Sequence, residues 1–171
     1  MKKATNTAPI WGIHAGRKDE AASLFLQSGR LALGWCAVGD LKDISSTRDG
    51  FKAAVAKSYP NAKPGAIPHY AGQLFRFLYE MKEGDLAVFP SKQSRRIHVG
   101  RVVGSYEFLP GLNPEFPNTR KVEWLKDFSR TQFTQGALYE VGSALSFFQI
   151  KNYADEFLAA LEGKVLPTVS E

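Results

Sequence analysis

Gly84-Asp85-Leu86-Ala87-Val88-Phe89-Pro90-Ser91-Lys92-Gln93-Ser94-Arg95-Arg96-Ile97-His98-Val99-Gly100-Arg101-Val102-Val103-Gly104 has the pattern of a β-hairpin, and the fold class follows from it. Gly84-Asp85 punctuates the chain, and Leu86 to Pro90 is an apolar run of strand length. Ser91 to Arg95 is polar and turn-forming, and Ile97 to Gly104 alternates as a returning strand. Two strands joined by so short a turn pair antiparallel. Strands and helices elsewhere are interspersed without the strict alternation of a doubly wound sheet, which gives an α+β class. A small, strongly curved mixed β-barrel surrounded by helices is the economical architecture.

Working outward, Pro9 to His14 reads as a strand ending at Ala15-Gly16. Lys18 to Ser28 reads as a helix, with Asp19 and Glu20 at its acidic start and Gly29 as its C-terminal cap. Leu31 to Val38 is nearly all apolar, as a buried strand would be. Thr47 caps a helix over Arg48 to Tyr59 that Pro60 stops. Residues 61–68 form a loop, and His69 to Met81 is helical, with Ala71, Leu74, Phe75, Leu78 and Met81 at helical spacing. Pro110 to Asn118 is a loop, and Arg120 to Leu125 alternates as a strand. Phe133 to Val141 is ambiguous, Ala144 to Phe148 is strand or helix edge, and Asn152 to Leu161 is an amphipathic helix. The expected organisation is a disordered N-terminus over 1–8, one domain over 9–163, and a linker or tail over 164–171.

The chain has 171 residues, 44% of them hydrophobic, enough for one domain with a single core. No apolar stretch approaches the ~20 residues of a membrane helix. The basic start, Met1-Lys2-Lys3, lacks the hydrophobic region of a secretory signal. One cysteine, Cys36, excludes a disulfide framework and a cysteine-cluster zinc site. A cytoplasmic location and no membrane partner are expected. Lys and Arg number 22 against 17 Asp and Glu, a net charge of +5 that permits a polyanionic partner without demanding one.

Neither a phosphate-cradling Gly-x-x-x-x-Gly-Lys-Ser/Thr loop nor Gly-x-Gly-x-x-Gly is present. His14, His69 and His98 are scattered, so no metal or other cofactor is expected. Cys36, inside an apolar run, reads as inert filler, and Glu80-Met81-Lys82 lacks the preceding Pro-Asp of a metal-dependent nuclease. No catalytic constellation emerges. Trp35, bracketed by Gly34 and Gly39-Asp40, reads either as core or as a ring approached by a ligand. Trp11 follows Pro9 on the first strand, while Trp124 alternates with Val122 as core. Phe89 to Arg96 gathers an aromatic ring, two hydroxyls and three cations around one turn. That is either a solvated hairpin tip or a set of phosphate contacts beside a base-sized pocket.

The Gly84–Ser91 and Ile97–Val103 strands resemble the central hairpin of the PUA-like superfamily, in particular its EVE and YTH branches. Leu33-Gly34-Trp35-Cys36 is similar to the strand whose tryptophan walls an aromatic cage there, and Val122-Glu123-Trp124-Leu125 resembles a later structural strand. Trp11-Gly12-Ile13-His14-Ala15-Gly16, Ala71-Gly72-Gln73-Leu74-Phe75-Arg76-Phe77 and Gln135 to Leu145 resemble EVE-like amino-terminal modules of Mrr-type modification-dependent restriction endonucleases. The resemblance implies a non-catalytic reader that flips a methylated or hydroxymethylated base out of double-stranded DNA, within a type IV restriction or anti-phage system. A nuclease domain would act with it, in cis or in trans. The implied base pocket is Trp11, His14, Trp35, Cys36, Tyr70, Phe89, Pro90 and Ser91, with Phe75 a lesser wall. Arg17, Lys92, Arg95 and Arg96 are the implied backbone contacts. The chain departs from the YTH pattern at Cys36 to Gly39, where Ser and Thr would be expected, so a modified cytosine stands beside N6-methyladenine. The alternatives are a PUA-like module reading modified RNA and, less supported, an ASCH-type amidohydrolase.

Overall fold

The hairpin is the centre of the sheet. In the computed structural model, which describes residues 8–163, β3 (Leu86–Pro90) pairs antiparallel with β4 (Arg96–Phe108), with Leu86 opposite Arg101 and Pro90 opposite Ile97. β4 continues the pairing with β5 (Asn118–Ser129), and β2 (Arg30–Leu33) closes that side. On the other side, β1 (Ile10–Ile13) lies parallel to β3, and β6 (Phe147–Gln149) lies antiparallel to β1. The order is β2-β5-β4-β3-β1-β6, a six-stranded mixed sheet.

Both faces of this sheet are covered, which is why β3 is buried at every residue. Trp11, Ile13, Ala87, Phe89, Val102 and Tyr106 belong to one core. It includes Phe25 of α1 (Ala22–Leu26), Phe51 of α2 (Arg48–Ser58), and Leu74 and Phe77 of α3 (Ile67–Tyr79). Ile10, Leu86, Val88, Ile97 and Val99 belong to a second core. That core includes Val141 of α4 (Gln135–Val141) and Phe157 of α5 (Ala154–Leu161). The period-2 geometry of a strand sends alternate residues to the two cores, so a sheet clad on both sides reads as a continuous apolar run.

The class is α+β, but the sheet is a curled half-barrel and not a closed barrel, because β2 and β6 are edges that do not pair with each other. Curl arises where the β4–β5 register slips, between Val99 and Gly100 and again between Val102 and Tyr106. At the first slip a Cβ on Gly100 would come within 2.8 Å of the Trp124 ring and the Val122 side chain, so only glycine fits there.

Several boundaries differ from the sequence reading. The apolar run from Leu31 stops being a strand at Leu33 and passes into a 3-10 turn over Cys36–Val38. The helix read from Lys18 is confined to Ala22–Leu26, because Asp19 takes a positive φ of 59°. β5 extends beyond Arg120–Leu125 at both ends, and the ambiguous 133–141 segment resolves as α4, capped by the Thr134 hydroxyl accepting the Ala137 N–H. Thr47 caps α2 by accepting the Gly50 N–H, and Gly29 follows α1 at φ 65°. Of the termini read as disordered or linker, residues 1–7 and 164–171 lie outside the described residues. No helix among the described residues is long and apolar enough to cross a membrane.

Candidate functional site

The site begins with a backbone reversal. After β2, Trp35 adopts φ 53°, ψ 43°, the left-handed region that costs a side-chain-bearing residue of the order of 1–2 kcal/mol. The Val38 N–H returns to the Trp35 carbonyl at 3.2 Å. The segment that follows is tied to the sheet by the Tyr106 hydroxyl, which accepts the Leu41 N–H at 2.8 Å and lies 2.9 Å from Asp40 Oδ1. Burial pushes that phenol well above its ordinary pKa, so it stays protonated. The reversal sets the half-buried Trp35 ring against Tyr70 of α3, with centroids 5.2 Å apart and planes tilted by 36°.

Trp35 and Tyr70 form one side of an open recess of about 820 Å³, within the usual size range of ligand sites. Among the described residues four cations line it, Arg17, Lys92, Arg95 and Arg130, and no carboxylate does. Elsewhere the guanidinium groups of Arg30, Arg48, Arg76 and Arg96 each sit against an acid. Among the described residues, Arg17, Arg95 and Arg130 have no such partner.

Two polar side chains in the recess are fixed by the backbone around them. Gln73, 4% exposed, accepts the Ser146 and Phe147 N–H groups at 2.9 and 3.0 Å and donates to the His69 carbonyl at 3.1 Å. Its amide therefore keeps one N–H free of these bonds. His14 Nε2 lies 2.9 Å from the Val141 carbonyl, which can only accept, so Nε2 carries the proton. Burial lowers the His14 pKa against the opposing effect of that carbonyl, with Lys92 lowering it further and Asp19 raising it. The ring is thus held neutral near pH 7, with Nδ1 as its acceptor.

The cationic turn is held by one buried carboxylate. Asp19 Oδ2 accepts the Ser91 hydroxyl at 3.1 Å, the Lys92 N–H at 2.7 Å and the Gln93 N–H at 3.1 Å. Lys92 Nζ in turn donates to the Arg17 carbonyl at 2.6 Å, which joins the two basic segments. Asp19→Ala is expected to lower stability by about 2 kcal/mol, through three lost bonds to a charged acceptor and a left-handed alanine. Denaturant titration measures this, and a change under about 0.5 kcal/mol would show that the turn does not depend on Asp19.

Of the residues singled out from sequence, His14, Arg17, Trp35, Tyr70, Pro90, Ser91, Lys92 and Arg95 all line the recess. Trp11, Phe89, Cys36 and Arg96 do not; the pocket placements of Trp11, Phe89 and Cys36 are corrected, whereas Arg96 is read as a backbone contact. Trp11 is core: it stacks on Phe147 at 4.8 Å and donates its indole N–H to Asp85 at 2.9 Å. Phe89 is fully buried, edge-on to Phe25 at 5.0 Å. Cys36 is exposed on the 3-10 turn, outside the recess, because the chain reverses one residue earlier. Arg96 donates to Asp127 at 2.7 Å, and that hydrogen bond, with the guanidinium charge behind it, holds the carboxyl below the usual range. Phe75 packs on Phe51 at 5.4 Å in the helical core. Sequence reasoning missed Gln73 and Arg130 as lining residues, Asp19 as the turn's anchor, and the Gly142–Ser146 loop. Among the described residues, no three His, Cys, Asp or Glu side chains gather as a metal site would need.

A family model described as a domain of unknown function, DUF8426, matches residues 11–147. The chain belongs to the DUF8426 family. The matched DUF8426 span runs from Trp11 to Phe147, the two rings that stack in the core, and contains every residue lining the recess, from His14 to Ser146. A crystal structure of a Pseudomonas putida protein is similar at 13% identity and a TM-score of 0.42, over 89% of this chain and 98% of that one. No curated protein matches the chain.

Proposed function

We propose that the recess receives a single base extruded from DNA, and that this DUF8426 domain reads a methylated or hydroxymethylated base there. The carrying observation is an aromatic pair, Trp35 and Tyr70, beside four cations with no carboxylate among them. Aromatic walls suit the flat face of a base, at ~1–3 kcal/mol per stacked base, which offsets an unpairing cost of a few kcal/mol. Cations whose nearby acid, Asp19, is buried and committed to the Ser91–Gln93 turn suit the phosphates on either side of that base. A methyl group adds only about 0.8 kcal/mol by burial. Discrimination then rests on fit and on fixed polar groups, here the free Gln73 N–H and His14 Nδ1, which a wrong base would leave unpaired. On this reading the curled sheet is a PUA-like scaffold. The domain is a non-catalytic sensor in a modification-dependent restriction or anti-phage system, working with a nuclease in cis or in trans.

The test is a binding panel at fixed salt, using one duplex sequence with cytosine, 5-methylcytosine, 5-hydroxymethylcytosine or N6-methyladenine, and an RNA of that sequence. One modified duplex is expected to bind at least about tenfold tighter than the unmodified one, the increment that one differential polar contact supplies. Equal affinity across the DNA panel would overturn the reading, and tighter binding to RNA would transfer it to modified RNA. Arg130→Ala is expected to weaken all DNAs alike and to reduce the salt slope by about 1, leaving base preference unchanged. An unchanged slope would remove Arg130 from the phosphate path.

A further inference from the structure

A second hollow adjoins the recess. It is lined by Gly136, Tyr139, Glu140, Asn152 and Tyr153, and it shares Gly142, Ser143 and Ala144 with the first, so one short stretch of backbone separates the two. Tyr139 is 87% exposed and Tyr153 37%, which makes this one of the few places where large aromatic side chains meet solvent. An exposed tyrosine on a seven-residue helix contributes little to folding, since its ring gains almost nothing from burial.

The hollow is built from defined parts. A Cβ on Gly136 would lie 2.2 Å from the Tyr153 ring, so the glycine is what lets that ring lie against α4. Among the described residues the only acid lining it, Glu140, is committed to the backbone, accepting the N–H groups of Lys151, Asn152 and Tyr153 at 2.9, 3.0 and 2.9 Å. Those bonds fix the start of the segment carrying Tyr153.

We propose that this hollow is a stacking subsite for the base next to the one held in the main recess, with Tyr139 as its principal contact. The inference rests on the base-recess reading and extends it. The bound strand is unpaired over two successive nucleotides, one base on the Trp35 side and its neighbour on Tyr139, with the sugar-phosphate link crossing the Gly142–Ala144 saddle. Stacking on an aromatic ring is tolerant of base identity, so the subsite adds affinity without sequence preference.

The probe is a single-stranded pentadeoxynucleotide with 5-methylcytosine at its centre and thymine elsewhere, alongside versions with an abasic residue at the centre or at either neighbour. With the unaltered protein, an abasic centre and one of the two abasic neighbours are each expected to weaken binding about tenfold, the weight of one stacked base. In Tyr139→Ala the neighbour effect is expected to vanish while the centre effect persists, and the exposed site makes loss of folding no concern. A neighbour effect of equal size in both proteins, or none in either, overturns the subsite and leaves the main recess standing. Indifference to the central base, or no binding of the pentanucleotide, overturns the base-recess reading and this inference with it.

Discussion

Arg120→Met is expected to destabilise the protein by about 3–5 kcal/mol, since it leaves three buried carbonyls without a donor at about 1–3 kcal/mol each. Arg120 lies on β5 and is only 5% exposed. Its guanidinium donates to the Met81 carbonyl at 2.9 Å, the Gly104 carbonyl at 3.1 Å and the Phe77 carbonyl at 3.4 Å. Phe77 belongs to the last turn of α3, where backbone carbonyls lack helical partners and the helix dipole favours a cation. Burial lowers the arginine's pKa, and the charges of Glu83 and Asp85 act against that shift. Methionine fills the volume but supplies no donor, so three carbonyls lose their partner together. Urea unfolding with an unchanged m-value measures the loss. A cost under about 1 kcal/mol would mean that solvent reaches those carbonyls. Because α3 also carries Tyr70 and Gln73, the same variant is expected to weaken ligand binding.

Trp35→Gly separates a pocket wall from a core residue. It is expected to reduce modified-base affinity by about 10- to 100-fold, the range for one lost aromatic stack. Stability is expected to fall by only about 1–2 kcal/mol, since the half-buried ring loses its packing on Tyr70 while glycine relieves the left-handed backbone cost at Trp35. Trp35→Ala removes the same ring while keeping the backbone cost, so the glycine variant should be the more stable of the two. A core tryptophan behaves differently, with truncation costing about 3–5 kcal/mol. Unfolding of both variants would make Trp35 a packing residue and remove the aromatic wall from the proposal.

The central hairpin was legible because its determinants are local: a glycine start, an apolar run, a polar turn and an alternating return. The Thr47 cap and the Gly29 stop were legible for the same reason. Trp11 and Phe89 were misplaced because period-2 spacing tells which residues share a face of a strand, and not whether a helix covers that face. Here α1 to α3 cover it. The apolar character of Leu31 to Val38 concealed the reversal at Trp35, which composition does not encode. Gln73 and Asp19 escaped notice because their partners lie more than 70 residues away in sequence. Arg130 is likewise brought to the recess only by the full length of β5.

An unclosed sheet presents rims of free amides and carbonyls on which a foreign strand can grow. Among the described residues the end strands are β2, four residues long, and β6, three residues long, and β5 runs on past β2 beyond Val122, where Glu123 and Lys126 place charges along it. Short end strands and a charged rim make a poor template for intermolecular pairing. The protein can thus leave its sheet unsealed, with a hollow accessible beside it, without the liability to fibrous association that an open sheet ordinarily carries.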